Sequence, residues 1–151
     1  MLIKIDDLRG PEIATLLQEH LNDMRAWSPA CSVHALDLDK LRNIDITFWT
    51  VWDGNILLGC GAVRQLDARH GEIKSMRTAV AHRGRGVAAA VLAHMLQTAE
   101  QRGYERLSLE TGSQPKFAPA RALYTGFGFT ECAAFGDYKP DPNSTFMTRS
   151  L

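Results

Sequence analysis

The chain has 151 residues, the usual size of one domain, and folding at that length buries roughly two-thirds of the unfolded chain's surface. Its 45% hydrophobic and 23% charged residues exclude a disordered, collagen-like or disulfide-stapled chain. Seventeen basic and seventeen acidic side chains cancel, so no global field draws it to nucleic acid or an anionic membrane, and a charged ligand must be held by local clustering.

The elements follow in chain order. Leu2, Ile3 and Ile5 suggest an opening strand, and Gly10-Pro11 punctuates it. Ile13, Leu16, Leu17, Leu21 and Met24 then recur at helical spacing. Ser28 to Ala35 reads as a loop, and Leu36, Leu38 and Leu41 hint at a short second helix. Ile46 to Trp52, rich in β-branched and aromatic residues, reads as a strand. Asp53-Gly54-Asn55 makes a tight hairpin, and Ile56 to Val63 returns as a strand apolar enough to be buried on both faces. A turn over Asp67 to Gly71 leads to a strand over Glu72 to Val80, giving three neighbouring antiparallel strands.

Val87, Val91, Leu92, Met95, Leu96 and Ala99 form one face of a helix over 86–102, stopped by Gly103. Arg106 to Glu110 is the next strand, so a right-handed crossover places it parallel to the strand before the helix. A fourth helix over Phe117 to Phe127 presents Phe117, Leu123, Tyr124 and Phe127, and strands near Thr130 to Phe135 and Ser144 to Ser150 complete a mixed sheet. The class is α+β, in a single domain over 1–151.

The three cysteines, Cys31, Cys60 and Cys132, form no C-x-x-C, and no histidine shows metal-ligand spacing, so no metal is expected. Free thiols, acidic residues near the start and no apolar run long enough to span a bilayer lead us to expect a soluble cytoplasmic protein. Cys60 reads as a small buried hydrophobe, and Trp49 and Trp52 as packing residues.

Chemistry concentrates in Ala81-His-Arg-Gly-Arg-Gly-Val-Ala-Ala-Ala90, where a strand ends and a helix begins. Glycines there let backbone N–H groups converge, and the helix N-terminus adds partial positive charge. From Arg69 to Arg85 there are five basic side chains against one acid, Glu72, which makes phosphate the natural guest. A P-loop lacks its Gly-Lys-Ser/Thr. A dinucleotide fingerprint is closer, since Gly84 to Ala89 fits G-x-G-x-x-A and Glu110 lies where a ribose-binding acid belongs. Antiparallel strands come first, however, and too little chain follows for a second dinucleotide-binding half.

Arg83-Gly-Arg-Gly-Val-Ala88 resembles the R-x-x-G-x-A phosphate signature of the GNAT acyl-CoA N-acyltransferases. Glu72 to Val80 resembles that family's fourth strand, and Ala122-Leu-Tyr-Thr-Gly-Phe-Gly-Phe129 its A-L-Y-x-x-x-G-F element. The resemblance implies a GNAT fold, with a mostly antiparallel sheet of about six or seven strands and about four helices. It also implies acetyl-CoA as cosubstrate, lying between two splayed parallel strands. Backbone groups of Met76, Arg77 and Thr78 would meet the pantetheine arm, and those of Arg83, Gly84, Arg85, Gly86, Val87 and Ala88 the pyrophosphate. Where many members carry an asparagine after the following strand, this chain has Gly112-Ser-Gln114, and Gln114 is its nearest substitute.

The reaction so implied is acetyl transfer to a primary amine by direct attack in a ternary complex. A lysine-like amine is neutral only about once in 2,500 molecules at pH 7, so a base is needed. Glu72 is expected as that base, directly or through water, its other reading being a strand carboxylate exposed or paired with Lys74 or Arg77. Tyr124 is expected as proton donor to the departing thiolate, its other reading being a core tyrosine. The acceptor falls to Met24 to Leu36 and Phe135 to Asn143, whose His34, Asp137, Tyr138, Lys139 and Asp141 suit a polar or zwitterionic small molecule. A protein lysine, a non-catalytic CoA-binding module and a homodimer stay open.

Overall fold

The computed structural model describes residues 1–29 and 38–151. Seven strands form one sheet in the order β1-β2-β3-β4-β5-β7-β6. They are β1 Leu2–Ile5, β2 Ile46–Asp53, β3 Ile56–Gln65, β4 His70–Thr78, β5 Arg106–Gly112, β6 Thr130–Cys132 and β7 Ser144–Ser150. The helices are α1 Pro11–Trp27, α2 Leu38–Leu41, α3 Val87–Gln101 and α4 Ala118–Gly126, with short 3-10 turns at Val80–His82 and Pro115–Phe117. Every strand pair is antiparallel except β4 with β5.

Each face of the sheet has its own apolar layer. On one, Val87, Val91, Leu92, Met95, Leu96 and Ala99 of α3 pack on Trp49, Val51, Leu58, Val63, Ile73, Leu107 and Leu109, with Tyr124 of α4 and Phe129 at the rim. On the other, Ile13 and Leu16 of α1 and Leu41 of α2 cover Phe48, Cys60 and Ala62. The six apolar positions expected on α3 are all buried, because the 3.6-residue period faces a flat layer along its whole length. Gly59 lets α3 sit so low, since a Cβ there would stand 2.8 Å from Val87 Cγ1 and 2.7 Å from the Arg77 carbonyl oxygen.

Some expected boundaries move. β4 begins at His70, where Leu66 N–H bonds the His70 carbonyl and closes the hairpin, and it ends at Thr78 rather than Val80 because the chain then turns into Val80–His82. β6 stops at Cys132 instead of Phe135, since Phe135 turns in to pack edge-on against Tyr138 and Phe146. The second helix spans Leu38–Leu41, and Leu36, with the rest of 30–37, lies outside the described residues. Among the described residues no helix is long and apolar enough to cross a membrane.

Candidate active site

The site follows from where one pairing stops. β4 and β5 run in register from His70↔Arg106 to Ile73↔Leu109, yet β4 continues to Thr78 and β5 to Gly112. Past that last pair the strands are held only by their outer neighbours, β3 and β7, which leaves a notch between them. Met76, Arg77 and Thr78 lie on the unpaired length of β4. A bulge precedes them: Cys60↔Arg77 and Ala62↔Lys74 set Ser75 and Met76 against the single Gly61, and Ser75 takes a φ of 56°. Cys60 Sγ donates to the Ser75 carbonyl at 3.2 Å, and burial pushes its thiol up to about 12, so it is inert packing.

The bulge reverses the alternation of side chains. Met76 packs on the α3 layer, while Arg77, which an unbroken strand would put there too, points at α1. Its guanidinium pairs with Glu19 and, at 2.6 Å, with Asp23. Beside it His20 is half-buried, and desolvation together with the Arg77 charge lowers its pKa to about 4. The expected local excess of positive charge therefore divides. Arg77 is consumed by α1, Lys74 pairs with Glu72, and Arg69 pairs with Glu105 at the far end of the strand. Only Arg83 and Arg85 flank the loop.

The loop itself lies at the open end of β4. Gly84 and Gly86 have φ of 77° and 78°, a region open to glycine at little cost. Gly86 is the N-cap of α3 and no side chain caps the helix, so the N–H groups of its first turn, from Val87 and Ala88 onward, have no intrahelical acceptor. Val87 itself is buried as an anchor. Arg85 is held 3.1 Å from His82 Nδ1 and 3.4 Å from Asp53, and Arg83, half exposed, stands 4.0 Å from Asp23. The arrangement is a cradle of backbone donors with two guanidinium groups at its rim.

On the α1–α2 face a polar cluster sits at the inner end of the notch. Glu72, opposite Ser108, is 2% exposed, and its Oε2 accepts from Tyr138 Oη at 2.6 Å and from Lys74 Nζ at 3.3 Å. Lys74 also donates to Tyr138 Oη at 3.1 Å. Of the readings open for Glu72, exposure is excluded and pairing with Lys74 is present. Burial and the Glu72 carboxylate both raise the Tyr138 phenol, which keeps it a donor. Tyr124, buried on α4, has its phenol raised by desolvation and by the Glu110 carboxylate.

Glu110 is the residue whose role as an acid in this cluster the sequence did not suggest. It follows Leu109, the last β5 residue paired with β4, and shares the face of Glu72 and Lys74. Desolvation raises its pKa to about 7, helped by Glu72 and Asp141 and opposed by Ser144 and Lys74. The available signal was a lone carboxylate inside the strand Leu-Ser-Leu-Glu. Gln114, just past β5, donates to Asn143 at 2.9 Å while its Oε1 is buried with no partner among the described residues. His34 lies outside those residues. Among them no group of three or more His, Cys, Asp or Glu could hold a metal ion.

A family model described as "Acetyltransferase (GNAT) family" matches residues 13–129. The chain is 58% identical over 151 residues, the full length of both, to the uncharacterized N-acetyltransferase YsnE of Bacillus subtilis (strain 168). A putative acyl-CoA N-acyltransferase from Klebsiella pneumoniae superposes with a TM-score of 0.77 at 28% identity, covering 99% of this chain and 97% of that one. A GNAT family acetyltransferase from Elizabethkingia anophelis, solved with acetyl-CoA bound, shares the fold at a TM-score of 0.68 and 16% identity, over 99% and 97% of the two chains. The family model, which covers most of the chain, and the full-length relative agree with the α+β fold: the chain belongs to the GNAT family of acetyltransferases.

Proposed function

We propose that this acetyltransferase moves an acetyl group from acetyl-CoA to the primary amine of a polar small molecule by direct attack in a ternary complex. The observation that carries the reading is the β4–β5 pairing that ends at Ile73↔Leu109. The unpaired backbone of Met76, Arg77 and Thr78 offers strand-like hydrogen bonds to an extended pantetheine arm. The unpartnered Gln114 Oε1 suits an amide N–H from the opposite side. The N–H groups from Arg83 to Ala88, with the Arg83 and Arg85 side chains, suit the pyrophosphate. The likeness to a fold that holds acetyl-CoA in another protein supports the same guest.

When bound, acetyl-CoA supplies an activated acyl carbon with a thiolate as leaving group. The chain's part is to seat the amine, take a proton from it and stabilise the charge that leaves. Tyr124 donates a hydrogen bond to the departing sulfur. The acceptor side, built from Glu72, Lys74, Tyr138 and Glu110, carries more acid than base, which favours an ammonium guest.

Thiol detection of CoA release over a panel of primary amines tests the proposal. Wild-type protein releases CoA in an amine-dependent manner. Gly86→Glu, which puts a carboxylate where the pyrophosphate would lie, has open space around its Cβ but a φ of 78° that strains any side chain, so it weakens CoA binding more than tenfold with unchanged circular dichroism and a lowered Tm. CoA binding without turnover on any amine would instead mark a non-catalytic binding module.

A further inference from the structure

Resting on that reading, we propose that Glu110 is the group that takes the amine's proton, and that Glu72, fixed by Tyr138 and Lys74, is the positioning carboxylate that seats the ammonium. Place along the strand is the first argument. If the pantetheine arm occupies the notch as an extended segment, its reactive end reaches the point where β4 and β5 close up, beyond Ile73↔Leu109. Glu110 is the first β5 residue past that point, and Lys74 occupies the equivalent position on β4. Glu72 lies two rows deeper, level with Ser108.

Engagement is the second argument. Oε2 of Glu72 already accepts from a phenol at 2.6 Å and an ammonium at 3.3 Å, and Lys74 ties the two donors together at 3.1 Å. Such a carboxylate is held in place by the donors that engage it. Glu110 meets Lys74 and Glu72 from β4, Asp141 from the loop before β7 and Ser144 from β7, and its charge is felt by Tyr124 of α4 across the sheet. Burial leaves it divided between acid and carboxylate near neutral pH, the condition under which proton uptake and release are both easy.

The step balances simply. The ammonium gives one proton to the Glu110 carboxylate, and the freed lone pair forms the C–N bond. The C–S electron pair leaves on sulfur. The second N–H proton is lost to solvent, and the thiolate, stabilised by a hydrogen bond from the Tyr124 hydroxyl, takes one proton from solvent. Glu110 returns its own proton to solvent, so the products are amide, CoA thiol and one proton.

The test is the pH dependence of kcat/KM for the amine that gives the fastest CoA release, in wild type, Glu110→Gln, Glu110→Asp and Glu72→Gln. Wild type loses rate tenfold per unit below about pH 7. Glu110→Gln is slowed about 100-fold or more near pH 7. Its rate then climbs toward the amine's own pKa, while the melting shift with CoA is retained. Glu110→Asp keeps the acid limb at reduced rate. Glu72→Gln keeps the limb, moved to lower pH because a carboxylate that raised Glu110 is gone, and raises the KM for the amine. A Glu110→Gln enzyme with the wild-type limb, or a Glu72→Gln enzyme that loses it, overturns the assignment. Absence of amine-dependent CoA release in wild type would instead reject the acetyl-transfer reading itself.

Discussion

At the scale of single residues, Tyr124 shows how magnitudes limit a role. Even unperturbed, a phenol near pKa 10 is a weaker acid than a thiol near 8.5, so full transfer to the thiolate is uphill by roughly 2 kcal/mol. Burial and the Glu110 charge raise the phenol further, which widens the gap. In the proposed reaction Tyr124 would therefore donate a hydrogen bond while charge develops on sulfur, with a contribution at or below the low end of the ~10²–10⁴ range of general acids. Tyr124→Phe keeps the ring that packs on Phe129 at 5.9 Å and removes only the hydroxyl. Steady-state kinetics on this variant should show kcat down about 10- to 100-fold with the KM for acetyl-CoA nearly unchanged. Full activity would leave Tyr124 a packing residue.

At the scale of elements, the bulge at Ser75 links β4 to α1. It turns Arg77 out of the α3 layer and onto Glu19 and Asp23, so the strand that lines the notch is clamped to the helix beside it. Trp27, at the end of α1, reaches across to Phe117 in an edge-on contact at 5.5 Å, so the same helix touches both sides of the notch. His20 makes this clamp sensitive to pH. The native fold holds it neutral down to about 4, whereas the unfolded chain protonates it near 6.5. Between those values the unfolded state binds the extra proton, so the His20 contribution is intact at pH 7 and is lost progressively as pH falls through that window. His70, also lowered by burial, acts in the same sense, and Glu110, raised, in the opposite one. Comparing denaturant unfolding of wild type and His20→Gln at pH 7 and pH 5 isolates the histidine. The stability advantage of wild type over the variant should shrink at pH 5, and an advantage that grew would contradict the burial of a neutral imidazole.

At the scale of the molecule, different parts were legible in the sequence for different physical reasons. The α3 face and the β2–β3 hairpin were readable because period and turn chemistry are local, and Gly54 takes its expected positive φ of 57°. The loop's position at the start of α3 was readable because Gly84 and Gly86 mark a turn between a strand and an amphipathic helix, and both take positive φ. Arg77 was not, since one bulge inverts which face a strand residue occupies and its cause, the crossing against Gly61, is spread over two strands. The placing of Glu110 beside Glu72 and Lys74 was not, because it depends on where β4 and β5 stop pairing, a property of the sheet and not of either strand. Tyr138 was placed in an acceptor loop, but its bond to Glu72 joins residues 66 apart.

All these elements converge on one guest, and a thermal melt tests it most directly. A ligand at about a hundred times its dissociation constant adds ~2.7 kcal/mol to the native state. For a domain of this size that is roughly 5–10 °C in Tm. Melts of the wild-type protein with CoA, acetyl-CoA and NAD at matched concentrations should show that rise with both CoA ligands and none with NAD. A rise with NAD and none with either CoA species would contradict the notch and its phosphate loop as an acetyl-CoA site.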